Sequence, residues 1–491
     1  MMEKVIQQLY EHPQRFSVLV IGDLILDAYM KGYSNRLCPE ATAPVVNIQD
    51  EKYALGGAGN IAFNLAALGA NVTCMGITGK DKEAQVMQEL FSDSKINTNI
   101  ISCAERTTIC KTRLVSGTQL LARYDKGSEG SIDDSCTKMV IRELNEIYPY
   151  FDAVILADYR KGFFNTAIIK AIEKLQKKYH PYLAVDSKKL QNYAALQPDI
   201  VKPNRKETAT LLEEREEAIH ASALLQHQSR LFDCTGAKVI AVTLDEDGAV
   251  ILEKEKPAMV LKAERVPHPQ VSGAGDTYLS AFTMAYMQCR NSIESASVAS
   301  LAASIAIKKP VTAFCSIREL MFTAALNSKI IDSEETLELL SSLYRSSGKR
   351  IVFTNGCFDI LHSGHVSYLE QAAGLGDVLI VGVNNDESIK RLKGPKRPVN
   401  HLADRMEVLA GLRCVTHIVP FGGLNEDNPD QLISIIQPDV FAKGGDYTID
   451  TLPEAPLVEA LGGQVEIIPI VNNTSTSNII NKISAYQLLN I

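Results

Sequence analysis

The sequence FTNGCFDILHSGHVSYLEQAA, residues 353–373, decides the fold of the C-terminal part of the chain. It follows a turn-forming Ser-Ser-Gly, begins as a short strand, breaks at Asn355-Gly356 and continues as a helix with apolar residues at helical spacing. His362 and His365 stand at the start of that helix, where free backbone N–H groups and the helix dipole favour a phosphate. An isolated pair of histidines is more often a satisfied core or capping pair. Because strand, glycine break and helix occur together, the pattern favours an anion-binding site.

The length and composition predict more than one globular domain. The chain has 491 residues, of which 46% are hydrophobic and 22% charged. A net charge of −8 argues against nucleic acid as a partner, although a small anionic substrate needs only local cations. The ten cysteines form no Cys-x-x-Cys pair and are expected to be reduced. The first residues lack the apolar stretch of a secretory leader, and no uncharged apolar run reaches about 18 residues, so we expect a cytoplasmic protein without a membrane partner.

The N-terminal part shows the alternation of a doubly wound α/β sheet. An apolar run over residues 17–21 predicts a buried parallel strand that delivers Asp23 at its carboxyl end. Further strands and helices follow in alternation. The predicted elements are strands over 153–157, 183–186, 200–203 and 238–243, with a helix over 166–179.

Two glycine-rich stretches stand at predicted helix starts. The first contains Gly56, Gly57 and Asn60, and the glycines either serve a turn or let the backbone approach a ligand. The second, residues 271–277, reads VSGAGDT and precedes an apolar helix. Its glycines permit an anion-binding turn, and Asp276 could accept a proton from a hydroxyl that attacks a phosphoryl group. Asp276 could equally be an N-cap, which helix starts favour.

Residues 32–53 are interpreted as irregular, and residues 107–125 as a β-hairpin. The hairpin carries Lys111, Arg113 and Arg123 at alternating positions. They form either a basic face or a solvated edge that is guarded by charge.

Residues 15–325 resemble the ribokinase (PfkB) family of sugar kinases, through Gly22-Asp23, the first glycine cluster, Asp186 with Lys188, Asn204-x-x-Glu207 and the GAGD turn. The resemblance implies that Asp276 is the catalytic base and that the hairpin belongs to a lid. It also implies ATP-binding residues Asn204, Glu207, Gly273, Ala274 and Gly275, and sugar-binding residues Asp23, Gly56, Gly57, Asn60, Lys111 and Arg113. The chain departs from the family at Ser272, where Thr is usual, and at Val311, where a glycine is frequent.

From about residue 349 to the C-terminus the chain resembles the H-x-G-H nucleotidyltransferase superfamily. A basic stretch, residues 390–397, follows a predicted strand over 377–382 and is either an anion-binding loop or a solvated face. The resemblance implies catalytic roles for His362 and His365. It implies nucleotide-binding roles for Asn355, Gly356, Phe358, Lys393, Lys443, Gly444, Asp446, Ser475 and Thr476.

These patterns predict an α/β protein with a ribokinase-like doubly wound sheet and a small β lid, followed by a Rossmann-like nucleotidyltransferase domain. The expected boundaries are 1–328 for the kinase domain, 329–347 for a charged linker helix and 348–491 for the transferase domain. No metal-ligating residues are assigned from the sequence.

The fusion as a whole resembles the family of bifunctional heptose 7-phosphate kinases and heptose 1-phosphate adenylyltransferases that make lipopolysaccharide precursors. This implies ATP and Mg²⁺ as cofactors, heptose phosphates as substrates and a homodimer. Two alternatives stay open. One is another sugar kinase fused to a different nucleotidyltransferase, and the other is a nucleotide- or sugar-sensing binder without turnover.

Overall fold

The structure is a computed structural model that divides into two units, Met1–Met321 and Phe322–Ile491. It describes residues 2–469 except 14, 118, 264–265, 267–268, 310, 312–313, 424–426 and 446–447.

The strands of the first unit alternate with helices along the chain. They are β1 (Ser17–Gly22), β2 (Leu24–Leu37), β3 (Pro44–Gly57), β4 (Asn71–Thr78), β5 (Asn97–Ser102), β6 (Ile109–Ser116), β7 (Gln119–Lys126), β8 (Ala153–Asp158), β9 (Tyr182–Ser187), β10 (Ile200–Val201), β11 (Val239–Thr243), β12 (Ala249–Glu253) and β13 (Met259–Leu261). The helices are α1 (Met2–Glu11), α2 (Ala58–Ala67), α3 (Lys82–Ser92), α4 (Asp134–Ile147), α5 (Thr166–Tyr179), α6 (Arg205–Leu212), α7 (Ala221–Gln226), α8 (Gln228–Thr235), α9 (Ala274–Cys289) and α10 (Ser292–Ala306). Helix α11 (Ile317–Asn327) spans the boundary between the units.

The first unit is built on a nine-stranded sheet in the order β13-β12-β11-β10-β9-β8-β1-β4-β5. The strands from β11 to β5 run parallel, and β12 and β13 are antiparallel to their neighbours. Leu19 and Ile21 of β1 lie in one hydrophobic core with α4 and α5. Helices α2, α9 and α10 pack together and against other strands of the sheet. The predicted doubly wound sheet is therefore confirmed.

A separate four-stranded sheet, in the order β3-β2-β6-β7, forms the lid. Strands β6 and β7 confirm the predicted hairpin. The interpretation of residues 32–53 as irregular is wrong, because β2 and β3 pair along almost their whole lengths. Their distal halves are largely exposed, so they lack the alternation that would reveal a half-buried strand.

The second unit is a parallel five-stranded sheet in the order β16-β15-β14-β17-β18. Two hydrophobic cores involve alternating residues of β14: Ile351 and Phe353 lie in one, and Val352 lies in the other. This confirms the predicted Rossmann-like domain. Its elements are α12 (Glu334–Ser346), β14 (Ile351–Gly356), α13 (Ser363–Ala373), β15 (Val378–Asn384), α14 (Asp386–Lys393), α15 (Leu402–Ala410), β16 (His417–Phe421), α16 (Asp430–Ile436), β17 (Val440–Gly444), α17 (Ala455–Ala460) and β18 (Gln464–Ile468).

The segment interpreted as a linker helix belongs to the core of the second unit. Leu337 and Leu340 of α12 are fully buried beside Ile351 and Phe353. Ile331 also joins that core. The unit therefore begins near Phe322 and includes α12, a difference from the expected boundaries at 328 and 347.

Cys103 and Cys136 form a disulfide, so the expectation of reduced thiols is wrong for this pair. Cys103 follows β5 and Cys136 lies in the first turn of α4, and both belong to one buried core. The other eight cysteines are free. Within the part of the chain that the structure describes, none of the helices is both long enough and apolar enough to span a membrane.

Candidate functional sites

The carboxyl ends of the parallel strands in the first unit bring its polar residues together. Strand β1 lies between β4 and β8, so the connections leave it in opposite directions, which is where α/β proteins bind ligands. Asp23 directly follows β1, and Tyr159 directly follows β8. Asp186 is the second-last residue of β9, and Lys202 directly follows β10. These four side chains therefore emerge at the same edge of the sheet.

Asp276 is buried in the first turn of α9 and is held by two donors. Asn60 Nδ2 donates to its Oδ2 at 2.7 Å, and the Tyr159 hydroxyl donates to its Oδ1 through a short hydrogen bond. Burial, together with the charge of Asp186, raises the pKa of Asp276 to about 6, although hydrogen bonds from Asn60 and Tyr159 act in the opposite direction. The carboxylate form therefore predominates above about pH 6, and the group can accept a proton near neutral pH.

Asp23 anchors the loop that carries Tyr159. Its carboxylate accepts hydrogen bonds from the backbone N–H groups of Tyr159 and Lys161, both at 2.9 Å, and of Phe163 at 3.2 Å. Burial raises the pKa of Asp23 to about 6 despite these three donors. Asp23 also borders a small cavity with Arg106. Its predicted contact with the sugar stays a prediction, and its observed partners are these amides.

The glycines of both turns permit close approaches. At Gly57, φ is +60° and a Cβ would lie 2.4 Å from the carbonyl oxygen of Asp23. A Cβ on Gly56 would lie 2.5 Å from Asp27 Oδ2. Gly273 caps α9 with φ of 86°, which places Ala274 and Gly275 in the first helical turn. A side chain at Gly56, Gly57 or Gly273 would therefore require backbone strain or displacement of a neighbouring atom.

Asn204 and Glu207 form a capping box at the start of α6. Asn204 Oδ1 accepts a hydrogen bond from the Glu207 N–H at 2.9 Å, and Glu207 Oε2 accepts one from the Asn204 N–H at 3.0 Å. Burial raises the pKa of Glu207, and the charge of Asp186 raises it further. Asn204 and Glu207, which were predicted to bind ATP, therefore stabilise the start of α6. Glu207 also lies near the carboxylate of Asp186.

The lid reaches the glycine turn through Arg113. Its guanidinium forms an ion pair with Asp27 at 2.6 Å, lies 5.0 Å from the Tyr29 ring centre and donates to Ser272 Oγ at 3.4 Å. Lys111 lies two residues earlier on β6 and so faces the same side. Burial lowers the pKa of Lys111, which Asp27 partly offsets. Of the predicted basic face, Arg113 thus reaches the glycine turn, whereas Arg123 pairs with Asp125 at 2.7 Å.

His362 and His365 lie stacked at the start of α13, with ring centres 3.9 Å apart. Phe358 packs edge-on to His365 at 5.4 Å. Burial, together with the charges of His362 and Lys393, lowers the pKa of His365 to about 4. Burial also lowers the pKa of His362. Both Nδ1 atoms are buried without a hydrogen-bond partner among the described residues. The pair therefore offers neutral imidazoles, each of which has one N–H donor and one acceptor nitrogen for a bound ligand.

The basic stretch 390–397 is partly helical and largely paired. Helix α14 continues to Lys393, so the expectation of a loop holds only beyond it. Arg391 forms an ion pair with Asp427 at 2.7 Å, and Arg397 forms a short one with Asp359. Lys393 has no ion pair among the described residues, and its charge acts on His365. Of these cations, Lys393 best fits an anion site.

Lys443 and Asn355 lie together at the ends of β17 and β14. Lys443 Nζ donates to Asn355 Oδ1 and to Glu454 Oε1, both at 2.8 Å. Glu454 is 4% exposed, so the ammonium is held by a buried carboxylate. Gly444 lies against Tyr368, since a Cβ there would be 2.8 Å from the ring. Among the predicted nucleotide-binding residues, Asp446, Ser475 and Thr476 lie outside the described residues.

The sequence interpretation did not single out two buried charged residues of the second unit, Asp359 and Arg405, as functional candidates. Asp359 accepts hydrogen bonds from the N–H groups of Val399 at 2.7 Å and Asn400 at 3.1 Å, which joins the loop after β14 to the one before α15. Arg405 is buried and donates to the Cys357 carbonyl at 2.6 Å and to Asp386 at 2.8 Å. The sequence signal that could have revealed Arg405 is its position at helical spacing from Leu402 and Leu409, which puts a charged residue on the apolar side of an amphipathic helix.

In the first unit, the sequence interpretation missed Tyr159 and Lys202 at the base. They directly follow the observed strands β8 and β10, whereas the predicted strands were 153–157 and 200–203. The available signal was their place near the carboxyl ends of predicted parallel strands. The Tyr159 contact joins residues separated by 117 positions, and no local pattern encodes it.

Comparisons with known proteins agree with both units. Residues 15–319 match the pfkB family carbohydrate kinases, and residues 353–488 match the cytidylyltransferase-like family. The chain is 34% identical to the bifunctional protein HldE of Geobacter sulfurreducens, in an alignment covering 98% of this chain and 99% of that one. It is 37% identical to the bifunctional protein HldE of Pasteurella multocida, with 95% and 96% covered.

Among solved structures, the chain is similar to phosphofructokinase-2 from Escherichia coli in complex with substrates and products. The TM-score is 0.53 at 18% sequence identity, and the match covers 62% of this chain and 97% of that one. At this identity the likeness shows the fold alone.

Proposed function

The chain belongs to the family of bifunctional HldE proteins, and we propose that it acts twice on heptose phosphates during the synthesis of lipopolysaccharide precursors. It is an ATP-dependent kinase and adenylyltransferase. The kinase phosphorylates the anomeric hydroxyl of heptose 7-phosphate, and the adenylyltransferase converts heptose 1-phosphate and ATP into ADP-heptose and pyrophosphate. The observation that carries the proposal is the match to HldE over 98% of the chain, which includes both units and both sites.

In the kinase reaction Asp276 is the proposed base. Its position, 2.7 Å from Asn60 and hydrogen-bonded to Tyr159, fixes the orientation of the carboxylate. Its pKa of about 6 leaves it ionised at neutral pH and still able to take a proton. The turn formed by Gly273, Ala274 and Gly275 presents backbone N–H groups at the start of α9, where they would bind the phosphoryl oxygens. Positioning and charge stabilisation are the main requirements of phosphoryl transfer.

Mg²⁺ fits the residues beside this turn. Glu207 and Asp186 are close enough that the charge of Asp186 raises the pKa of Glu207, and Asp186 is buried. A divalent cation would relieve this repulsion, and Mg²⁺ typically takes one or two carboxylates together with substrate phosphates. When bound, it neutralises charge on the phosphates of ATP.

In the adenylyl transfer the attacking oxygen of heptose 1-phosphate is already anionic, so the reaction needs no general base. The neutral imidazoles of His362 and His365 would donate hydrogen bonds to the phosphates at α13, and Lys393 would stabilise charge on the leaving pyrophosphate. Lys443 is held by Asn355 and Glu454 at the neighbouring strand ends and is a further proposed nucleotide ligand.

The two reactions are not consecutive. The kinase product carries phosphates at both positions 1 and 7, whereas the transferase substrate carries one only at position 1. A separate phosphatase must therefore remove the 7-phosphate, and direct transfer between the two sites is not required.

We further propose a cytoplasmic homodimer that binds neither nucleic acid nor membrane. ATP supply supports the cytoplasmic location, and the net charge of −8 supports the absence of a nucleic-acid partner. Exposed apolar side chains on the lid, among them Leu37, Leu120 and Tyr124, support a self-contact there. Light scattering of the full chain tests the dimer.

Two assays test the function. ADP release with heptose 7-phosphate measures the kinase, and pyrophosphate release with heptose 1-phosphate measures the transferase. Both require the full chain with ATP and Mg²⁺. If the chain consumes ATP but modifies neither heptose 7-phosphate nor heptose 1-phosphate when they are supplied, the proposal is contradicted.

A further inference from the structure

Lys202 is a buried cation at the glycine turn of the kinase site. It lies between β10 and α6, and its side chain is 4% exposed. Its Nζ lies 3.0 Å from the place that a Cβ on Gly275 would occupy. The absence of a side chain at position 275 therefore leaves the ammonium in direct contact with the turn that would hold the transferred phosphoryl group.

The ammonium is surrounded by carboxylates but is not tightly paired with one. Asp186 Oδ2 is 3.4 Å away, longer than the about 2.7–2.9 Å that is usual for a charge-assisted hydrogen bond. The charges of Asp186, Glu207 and Asp276 all act on the ammonium. Lys202 therefore places a positive charge near the proposed base.

A lysine is rarely buried unless an anion compensates it. Asp186 supplies part of this compensation. The same ammonium also contacts Gly275 and interacts with Asp276. It therefore lies next to the space between the glycine turn and the base, which the phosphoryl group must occupy. We propose that Lys202 is a catalytic residue of the kinase, whose ammonium contacts the transferred phosphoryl group and stabilises the charge on its oxygens. This inference rests on the proposed kinase function.

ATP is the only phosphoryl donor in the proposed step. The bond from the anomeric oxygen to the γ-phosphorus forms as the bond from that phosphorus to the β–γ bridging oxygen breaks. The hydroxyl proton passes to Asp276, and the electron pair of the broken bond stays on ADP. Lys202 keeps its own proton throughout and acts only through its charge and its N–H donors.

The test is Lys202→Met, which keeps much of the side-chain volume and removes the charge. We expect the kinase kcat to fall by about 10²–10³-fold, as for loss of one preorganised donor, with the KM for ATP changed by less than about threefold. The affinity for ADP with aluminium fluoride and heptose 7-phosphate, a mimic of the transition state, should fall by a similar factor. Affinity for ADP alone should be retained. Lys206→Met, an exposed lysine on α6, is the matched control and should change none of these.

A purely structural role would give a different result. Loss of a structural ion pair would weaken the binding of ADP alone and of ADP with aluminium fluoride by the same factor. An unchanged ratio of the two affinities would therefore overturn the proposal. If Lys202→Met does not fold, Lys202→Gln, which keeps a polar side chain without the charge and leaves Asp186 in place, is compared in the same ratio. An active wild-type protein with an unchanged ratio refutes the role of Lys202 alone. A wild-type protein that does not phosphorylate heptose 7-phosphate refutes the proposed function and this inference with it.

Discussion

Replacing Tyr159 with phenylalanine should move the pH dependence of the kinase to higher pH. The Tyr159 hydroxyl donates to Asp276 Oδ1, and this hydrogen bond lowers the pKa of Asp276. Burial and the Asp276 charge hold the pKa of Tyr159 itself well above its ordinary value, so the phenol stays a donor. Removing the hydroxyl leaves the Asp276 carboxylate with Asn60 as its remaining side-chain donor among the described residues.

The size of the shift follows from the hydrogen bond that is lost. A hydrogen bond to a charged group contributes about 1.5–3 kcal/mol, and one pKa unit corresponds to about 1.4 kcal/mol. The pKa of Asp276, about 6 in the native chain, should therefore rise by roughly one to two units in Tyr159→Phe. Because the base must be ionised, activity is lost below its pKa. The variant should thus lose up to about tenfold in kcat/KM at pH 7 and little at pH 9.

The assay is the pH profile of kcat/KM for heptose 7-phosphate between pH 5 and 9, with saturating ATP. Tyr148→Phe is the matched control, because Tyr148 is a buried tyrosine of the same unit whose hydroxyl donates to Gln176 at 2.7 Å. Its profile should coincide with that of the native chain. An acid limb that does not move in Tyr159→Phe would refute the assignment of Asp276 as a base held by Tyr159.

Three further predictions concern the second unit. Lys393→Ala should lower the adenylyl-transfer kcat more than it raises KM, and steady-state kinetics showing both parameters within about twofold would instead indicate a solvated charge. Since the pKa of His365 is about 4, adenylyl transfer should show no loss from imidazole protonation between pH 8 and 6; a loss centred near pH 6.5 would contradict the neutral pair. A fragment of residues 322–491 should fold and retain this activity, whereas one of residues 347–491 should not, because the shorter one lacks Leu337 and Leu340. The burial of these two side chains contributes about 3–6 kcal/mol, a large part of the about 5–15 kcal/mol that is typical for the free energy of unfolding. Circular dichroism and pyrophosphate release compare the two, and equal stability would contradict the boundary.

The elements that the sequence predicted best are those whose signal is local. The apolar runs of β1, β8 and β9 are buried on both faces of a parallel sheet, so they are recognisable without their partners. The glycine turn before Asp276 and the histidine pair at α13 were likewise predicted at helix starts, because in each case the adjoining residues of the chain define where the helix begins.

The parts that failed depend on distant partners. Strands β2 and β3 are exposed over their outer halves and are defined by pairing with each other, which no local pattern shows. The charged residues of α12 suggested a linker, but Leu337 and Leu340 form a buried stripe on its other face. Hydrophobic periodicity was a better guide than net charge in that segment.

The chemistry of the sites was also incomplete from the sequence. Tyr159 and Lys202 reach the base only because β8 and β10 end at the same edge of the sheet. Conversely, Arg391 and Arg397 lie in the basic stretch that was expected to be either an anion-binding loop or a solvated face, and Asp427 and Asp359 pair with them. Charge counts along a segment do not reveal which cations are already neutralised.

The central claim is that one chain carries two independent reactions, and product analysis of single-site variants tests it most directly. Mass spectrometry would follow heptose 7-phosphate and heptose 1-phosphate, each with ATP and with CTP, for the native chain, Asp276→Asn and His365→Ala. We predict that Asp276→Asn loses about 10²-fold or more of the bisphosphate product and keeps ADP-heptose formation, and that His365→Ala does the reverse. Loss of both products in either variant, or a preference for CTP, would contradict the account.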